Sequence, residues 1–270
     1  MKYAKMTGSG NDFIIVNNMD RRLNVADIAP LVPKICARGV SIGADGFFMI
    51  EPADTKDVDF KWHFYNSDGT TGEMCGNGSR CVARFVHRLG YVGKNMRFLT
   101  GAGVIAAEII DETHVKVQLT TPHSLVIDKT LDAGSRQIKY SYVNTGVPHA
   151  VLFVDDVESA DVAGLGRLLR YHSAFAPAGA NVDFVKMVAP DILRMRTYER
   201  GVEGETLACG TGAVASALIA IEKGLVKSPV HIKTSGNIDM NVYMVNGTPY
   251  LEGEARLLSE GEMFSEAMKY

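Results

Sequence analysis

The chain contains two stretches that repeat each other, EMCGNGSRCVARFVHRLGYV at residues 73–92 and LACGTGAVASALIAIEKGLV at residues 207–226. Aligning Cys75 with Cys209 also aligns both glycines of each Cys-Gly-x-Gly turn and the glycine that ends each helical pattern. The spacing between the copies far exceeds the roughly 20–50-residue period of a solenoid. The stretches therefore indicate one domain that is present twice in the chain.

Two more pairs of segments match in the same order. They are TGSGNDFIIV (7–16) with TGVPHAVLFV (145–154), and GADGFFMI (43–50) with GANVDFVKM (179–187). The first pair places Asn11 opposite His149, and the second places Asp45 opposite Asn181. Since all the pairs keep a near-constant spacing, the duplication extends through both halves of the chain.

The hydrophobic patterns predict many short strands and four helices. Strands are predicted at 13–17, 47–50, 59–65, 97–99, 103–110, 114–119, 138–143, 150–154, 182–188, 192–198, 230–233, 238–245 and 249–254. Helices are predicted at 27–37, 77–89, 160–171 and 211–223, and the last is apolar almost all round, which indicates a buried helix. Because strands and helices do not alternate strictly, we expect an α+β fold: two similar, pseudo-symmetric domains with mainly antiparallel strands around a buried helix.

The duplication predicts an N-terminal domain over residues 1–120, containing Cys75, and a C-terminal domain over residues 121–256, containing Cys209. The segment 121–134 is the predicted linker, since it carries Pro122 and a polar stretch.

Composition narrows the class of protein. Lys and Arg number 28 against 31 Asp and Glu, a net charge of -3 that argues against a nucleic-acid partner. Four cysteines are too few for a disulfide scaffold and favour a reducing, cytoplasmic location. The N-terminus does not resemble a signal peptide, and the chain has no run of about 18 apolar residues, so we expect no membrane association.

Cys75 and Cys209 are the candidate catalytic residues. Each precedes a helix, where backbone N–H groups and the positive end of the helix dipole favour an ionised thiol and a bound carboxylate. The N–H groups predicted to bind the carboxylate belong to Gly76, Asn77, Gly210 and Thr211. If the domains face each other across a cleft, the two sulfurs approach one α-carbon from opposite sides. One thiolate and one thiol could then invert that centre without a cofactor or a metal.

Other interpretations of the cysteines stay open. Cys36 and Cys81 are read as ordinary core residues. A redox or thiol-based binding protein is an alternative, although the chain has no C-x-x-C motif. No pair of Cys and His has the spacing of metal ligands.

His149 and Glu199 are candidates to tune the thiols or to hold an amino group. Further polar candidates in corresponding loops are Asn11, Asn66, Asn181 and Arg200.

The segments KMTGSGNDFIIVN, FYNSDGTTGEMCGNGSRC, TG-x-PH, YERGVEGETLACGTGA and EGEA together resemble the diaminopimelate epimerase family along essentially the whole chain. The resemblance implies a cofactor-independent enzyme that interconverts LL- and meso-2,6-diaminopimelate in the lysine and cell-wall pathway, with its active site in the cleft between two similar domains. It also implies a homodimer, and a C-terminal tail of about 257–270 that returns to the first domain.

The resemblance assigns roles to the candidate residues. Cys75 and Cys209 would be the acid/base pair, and His149 and Glu199 would modulate the thiols. The substrate-binding positions would be Asn11, Asn66, Gly76, Asn77, Asn181, Glu199, Arg200, Gly210 and Thr211. The chain departs from the family at Val147, where asparagine is frequent, and at Gly46, where some members have a substrate-binding glutamine. A racemase of another amino acid is a further alternative.

Overall fold

The computed structural model describes residues 1–134 and 136–269. The chain divides into two compact units, one made of Met1–Val117 with the C-terminal segment from Gly253, the other of Gln118–Glu252. Each unit contains one 13-residue helix that begins directly after one of the repeated cysteines.

The strands follow one another along the chain with few helices between them. They are β1 (Lys2–Gly8), β2 (Asn11–Asn17), β3 (Gly46–Pro52), β4 (Phe60–Asn66), β5 (Asn95–Thr100), β6 (Gly103–Ile109), β7 (His114–Gln118), β8 (His123–Ala133), β9 (Arg136–Asn144), β10 (Pro148–Phe153), β11 (Asn181–Ala189), β12 (Ile192–Glu199), β13 (Gly204–Thr206), β14 (Val230–Lys233), β15 (Asp239–Val245), β16 (Thr248–Glu254) and β17 (Arg256–Glu262).

The helices are α1 (Val25–Ile28), α2 (Val32–Cys36), α3 (Gly76–Arg88), α4 (Gly164–Arg170) and α5 (Gly210–Glu222). Short 3-10 turns occupy Ala29–Leu31, Ser173–Phe175 and Ser265–Met268. No helix in the described ranges is long and apolar enough to cross a membrane.

In the first unit the strands pair in the order β17-β1-β2-β3-β4-β5-β6-β7. Two of these pairings, β2 with β3 and β4 with β5, are parallel, and the others are antiparallel. Helix α3 packs against β1, β2, β3, β6 and β17, so the sheet wraps around it.

The second unit repeats this pattern with the order β8-β9-β10-β11-β12-β14-β15. The parallel pairings, β10 with β11 and β12 with β14, fall at the same steps of the series as in the first unit. Helix α5 packs against β9, β10, β11, β12, β14 and β15, and its middle residues from Gly212 to Ala217 are buried. The predicted α+β class, the mainly antiparallel strands and the buried central helix are thus confirmed within each unit.

The prediction of a linker at 121–134 was wrong, because most of this segment forms β8. The strand is largely exposed, and Asp128 forms ion pairs with Lys139 at 3.0 Å and with Lys223. An exposed edge strand tolerates polar and charged residues. The same composition is typical of a linker, which explains the error.

Other differences concern elements that depend on distant contacts. Strands β1 and β17 were not predicted, and they pair with each other from opposite ends of the chain. The predicted helix 27–37 is broken into α1, a 3-10 turn and α2, with Pro30 and Pro33 at the breaks. The predicted helix 160–171 is shorter, since α4 covers only Gly164–Arg170.

The second glycine of each Cys-Gly-x-Gly turn allows the helix to approach the sheet. A Cβ on Gly78 would collide with the ring of Phe48, and one on Gly212 would lie 2.5 Å from Asp183 Oδ1. We expect Gly212→Ala to lower the free energy of unfolding by about 1–3 kcal/mol, as overpacking does. Gly93→Ala is the control, because nothing lies within 4 Å of its added Cβ. Urea denaturation of the Gly212→Ala and Gly93→Ala variants measures the two free energies of unfolding. Equal values would contradict the packing argument.

Candidate active site

Both repeated cysteines occupy the N-cap position of the helix that follows them, and the side chain of Cys75 also accepts a capping hydrogen bond. Cys75 has an extended backbone (φ -142°, ψ 113°), and the N–H of Gly78 donates to its Sγ at 3.4 Å. Cys209 is also extended (φ -125°, ψ 110°), and its Sγ lies 3.4 Å from Thr211 Oγ1. Each sulfur therefore lies at the first turn of a helix, where the leading N–H groups have no partner within the helix.

In the first unit a chain of side-chain hydrogen bonds runs beside the Cys75 turn. Arg80 Nη2 donates to Asn77 Oδ1 at 2.7 Å, Asn77 Nδ2 donates to Asn11 Oδ1 at 2.8 Å, and Asn11 Nδ2 donates to Asp45 Oδ2 at 3.1 Å. Because a guanidinium only donates, the chain fixes the orientation of both amides. The structure thus brings together Asn11 and Asn77.

Arg80 is a functional candidate that the sequence analysis missed. It is fully buried, and it also donates to Ser9 Oγ at 2.6 Å and to the carbonyl of Glu254 at 3.3 Å. Burial lowers the pKa of its guanidinium. The signal in the sequence was the position of Arg80, directly before the apolar helix face that begins at Cys81. Arginine is unusual next to such a face because buried arginine is rare.

Asn66 lies outside this chain of bonds. It is exposed at the end of β4, and its Nδ2 donates to Thr70 Oγ1 at 2.9 Å. It pairs across the sheet with Gly46, the position at which some family members have glutamine. A Cβ on Gly46 would lie 2.9 Å from the ring of Phe64 and 3.1 Å from the carbonyl oxygen of Tyr65. Packing in this chain therefore favours glycine there.

In the second unit a different chain of bonds leads to Cys209. Asp183 Oδ2 lies 2.7 Å from His149 Nδ1, and His149 Nε2 lies 3.0 Å from Thr211 Oγ1. Asn181 Nδ2 approaches the same Nε2 at 3.2 Å. His149 and Asp183 are fully buried. The structure therefore connects His149 with Cys209 through the Thr211 hydroxyl.

Asp183 is the second residue that the sequence analysis missed. Its other oxygen accepts from Thr197 Oγ1 at 2.7 Å, so both carboxylate oxygens are hydrogen-bonded. The signal in the sequence is the acidic residue in the apolar run NVDFV at 181–185. A buried acidic residue in a strand needs a polar partner, and this one has two.

Glu199 and Arg200 lie at the end of β12. Glu199 Oε2 accepts from Thr206 Oγ1 at 2.8 Å. Burial raises the pKa of Glu199, and the charge of Asp183 acts in the same direction. The N–H of Arg200 donates to Asn181 Oδ1 at 2.7 Å, which brings Asn181 and Arg200 together. The side chain of Arg200 is half-buried.

The helix N-terminus is one of several opposing influences on the pKa of Cys209. Burial raises the pKa of its thiol, and the charges of Glu199 and Asp183 raise it further. The contact with the Thr211 hydroxyl and the N–H of Gly212 act in the opposite direction but are weaker. Burial and the two carboxylates therefore favour the thiol of Cys209 over the thiolate.

The other two cysteines lie in the core. Burial raises the pKa of both Cys36 and Cys81 to about 12. Cys36 ends α2 and Cys81 lies inside α3, so neither sulfur stands at the N-terminus of a helix as Cys75 and Cys209 do. Across residues 1–134 and 136–269, no group of three or more His, Cys, Asp or Glu side chains could hold a metal ion.

Glu199 gives a prediction about stability and pH. Because folding raises its pKa, its contribution to stability is full at low pH and is lost as the pH rises through the native value. We expect Glu199→Gln to have a higher free energy of unfolding than the wild type at neutral pH, with the difference vanishing in acid. Urea titrations at both pH values measure this, with the exposed Glu266→Gln as control. If Glu199→Gln were less stable than the wild type at neutral pH, the assignment would be contradicted.

Comparison with known proteins identifies the family. The family model described as diaminopimelate epimerase matches residues 3–125 and 141–258. The diaminopimelate epimerase of Aquifex aeolicus is 45% identical, over 96% of this chain and 99% of the relative. The diaminopimelate epimerase of Hydrogenobaculum is 44% identical, over 98% of this chain and 99% of the relative.

A solved structure with low sequence identity has the same fold. A probable proline racemase from Agrobacterium radiobacter aligns with a TM-score of 0.70 at 15% identity, covering 97% of this chain and 92% of that one. This similarity concerns the fold alone. The matching family model and the full-length relatives show that the chain belongs to the diaminopimelate epimerase family.

Proposed function

We propose that this chain epimerises LL-2,6-diaminopimelate to meso-diaminopimelate and back, without a cofactor, using Cys75 and Cys209 as the proton-transfer pair. The observation that carries the proposal is the equivalence of the two cysteines. Each occupies the N-cap position of the central helix of a unit, and the two units have the same strand pairing. Family membership gives the substrate.

The chemistry requires one base and one acid on opposite faces of the α-carbon. A thiolate removes the α-proton, and a thiol delivers a proton to the other face, so the two sulfurs exchange their protonation states in each turnover. The raised pKa of Cys209 favours the thiol at that position. In the first unit the buried cation of Arg80 favours negative charge nearby. We therefore assign Cys75 as the base and Cys209 as the acid in the reaction direction that starts with a Cys75 thiolate and a Cys209 thiol.

The carbanion that forms is stabilised through the substrate carboxylate. The first N–H groups of each helix suit this anion, and they belong to Gly76, Asn77, Gly210 and Thr211. Asn11 supports the first of these sites through its bond with Asn77. Fixed donors of this kind need no reorganisation as charge develops.

We assign the distal amino-acid end of the substrate to Asn66, Asn181, Glu199 and Arg200. The guanidinium of Arg200 can bind a carboxylate through two bonds, and the carboxylate of Glu199 can accept from an ammonium group. His149 is assigned to the modulation of the thiols, which its contact with Thr211 supports.

The proposal is tested by proton exchange. Dialysed protein in deuterated water is incubated with LL-diaminopimelate, with no pyridoxal phosphate or metal added, and NMR follows loss of the α-proton and formation of the meso isomer. We expect both at the full rate, unchanged by a chelator. Activity that requires pyridoxal phosphate would contradict the mechanism. Exchange with proline or histidine but not with diaminopimelate would favour a racemase of another amino acid.

We further infer that the enzyme is a cytoplasmic homodimer, as the family resemblance implies, and that it serves lysine and peptidoglycan precursor synthesis. Light scattering coupled to gel filtration measures the mass. A monomer at working concentration would contradict the homodimer and leave the reaction unaffected.

A further inference from the structure

The bonds around His149 determine which of its ring nitrogens carries a proton. A carboxylate can only accept, so the short contact with Asp183 Oδ2 places a proton on Nδ1. The single lone pair of Nε2 then faces two donors that share it, the Asn181 amide at 3.2 Å and the Thr211 hydroxyl at 3.0 Å. Neutral His149 therefore presents an acceptor toward the first turn of α5.

The Thr211 hydroxyl has two roles in this arrangement. When it donates its proton to His149 Nε2, 3.0 Å away, its oxygen is left to accept from the Cys209 thiol, 3.4 Å away. A hydroxyl can donate one bond and accept others, so both contacts are satisfied together. The continuous series is Cys209 S–H to Thr211 O–H to His149 Nε2, with His149 Nδ1–H to Asp183.

We propose that Thr211 relays the proton of Cys209 to His149, and that Asp183 is the positioning residue that makes His149 able to receive it. This inference rests on the proposed role of Cys209 and extends it. The S–H proton moves to Thr211 Oγ1 as the Thr211 O–H proton moves to His149 Nε2. The products are a Cys209 thiolate and a His149 imidazolium paired with Asp183. Once His149 Nε2 carries a proton, it can no longer accept the 3.2 Å hydrogen bond from the Asn181 amide, so that hydrogen bond is lost.

The relay has a place in the reaction cycle. A Cys209 that has just delivered its proton to the substrate is already a thiolate, but free enzyme that holds the Cys209 thiol must ionise it before Cys209 can act as the base. Cys209 is buried beside Glu199 and Asp183, which disfavour a direct loss of its proton. A His149 imidazolium, which two hydrogen bonds connect to the Cys209 sulfur, offsets the negative charges of Glu199 and Asp183. Asp183 holds that imidazolium through one oxygen and is itself held by Thr197 through the other.

The test is the pH dependence of Cys209 alkylation by iodoacetamide, quantified by peptide mass spectrometry. The plateau at high pH reports access to the sulfur, and the midpoint reports its ionisation. For Thr211→Val we expect the midpoint to rise by at least about one pH unit, which means about tenfold slower alkylation below it. Thr211→Ser, which keeps the hydroxyl, should restore the wild-type midpoint. Ser141→Ala, which removes a buried hydroxyl bonded to the N–H of Asp128, is the control.

Asp183→Asn separates the relay from a simple effect of charge. If Asp183 acted on Cys209 only as a nearby negative charge, its removal would lower the midpoint. If it acts through His149, the imidazolium loses its partner and the midpoint rises. A lower midpoint in Asp183→Asn, or an unchanged one in Thr211→Val, would overturn the proposal.

The assay uses no amino-acid substrate, so its outcome is distinguishable from that of the proposed function. A shifted midpoint in a protein that does not exchange diaminopimelate would leave the relay standing and remove only the substrate assignment. Unshifted midpoints in an active epimerase would remove the relay alone.

Discussion

Replacing Cys75 or Cys209 with serine is expected to reduce kcat for diaminopimelate epimerisation by about 10²–10⁴-fold each, the usual contribution of a general acid or base. A hydroxyl ionises far less readily than a thiol and cannot replace it in proton transfer. Serine is also a favourable helix N-cap, so each variant should keep the turn that begins α3 or α5. The measurement is the rate of LL-to-meso conversion together with the circular dichroism spectrum.

The matched controls are the two core cysteines. Cys36→Ala and Cys81→Ala should leave kcat within a few-fold of the wild type, because Cys36 ends α2 and Cys81 lies inside α3, so neither sulfur stands at a helix N-terminus. A folded Cys81→Ala protein as inactive as Cys75→Ser would refute the assignment of the pair. Retention of full activity in either serine variant would refute the two-thiol mechanism.

The second large effect concerns substrate choice. We expect kcat/KM for LL-diaminopimelate to exceed that for lysine by about 10⁴–10⁵, because a site built for polar groups is left unsatisfied by a substrate that lacks them. Lysine has the distal amine of diaminopimelate but lacks its second carboxylate. The half-buried guanidinium of Arg200 is the proposed partner of that carboxylate.

Arg200→Met tests this interpretation. The bond that holds Asn181 comes from the backbone N–H of residue 200, so the substitution should preserve it. We expect kcat/KM for diaminopimelate to fall steeply and that for lysine to change little, which narrows the ratio between them. Arg167→Met, at an exposed position on α4, is the control. Equal wild-type values for lysine and diaminopimelate would favour a broad-specificity racemase and would leave the two-thiol mechanism intact.

The sequence by itself determined the duplication, the α+β class, the two long helices and the equivalence of Cys75 and Cys209. These properties are local. A Cys-Gly-x-Gly turn and an apolar helical pattern appear within about 20 consecutive residues, as capping and periodicity require. The alignment of the copies needed only that such local patterns occur twice.

Only the tertiary structure decided the partners of the polar groups. Arg80 and Asp183 are single charged residues in otherwise ordinary segments, and each gains its meaning from side chains on other elements. Strand β1 likewise depends on β17, whose residues come from the other end of the chain. Such contacts join residues that are distant in sequence. No local periodicity encodes them, because burial decides which polar groups must be satisfied and the folded packing decides by whom.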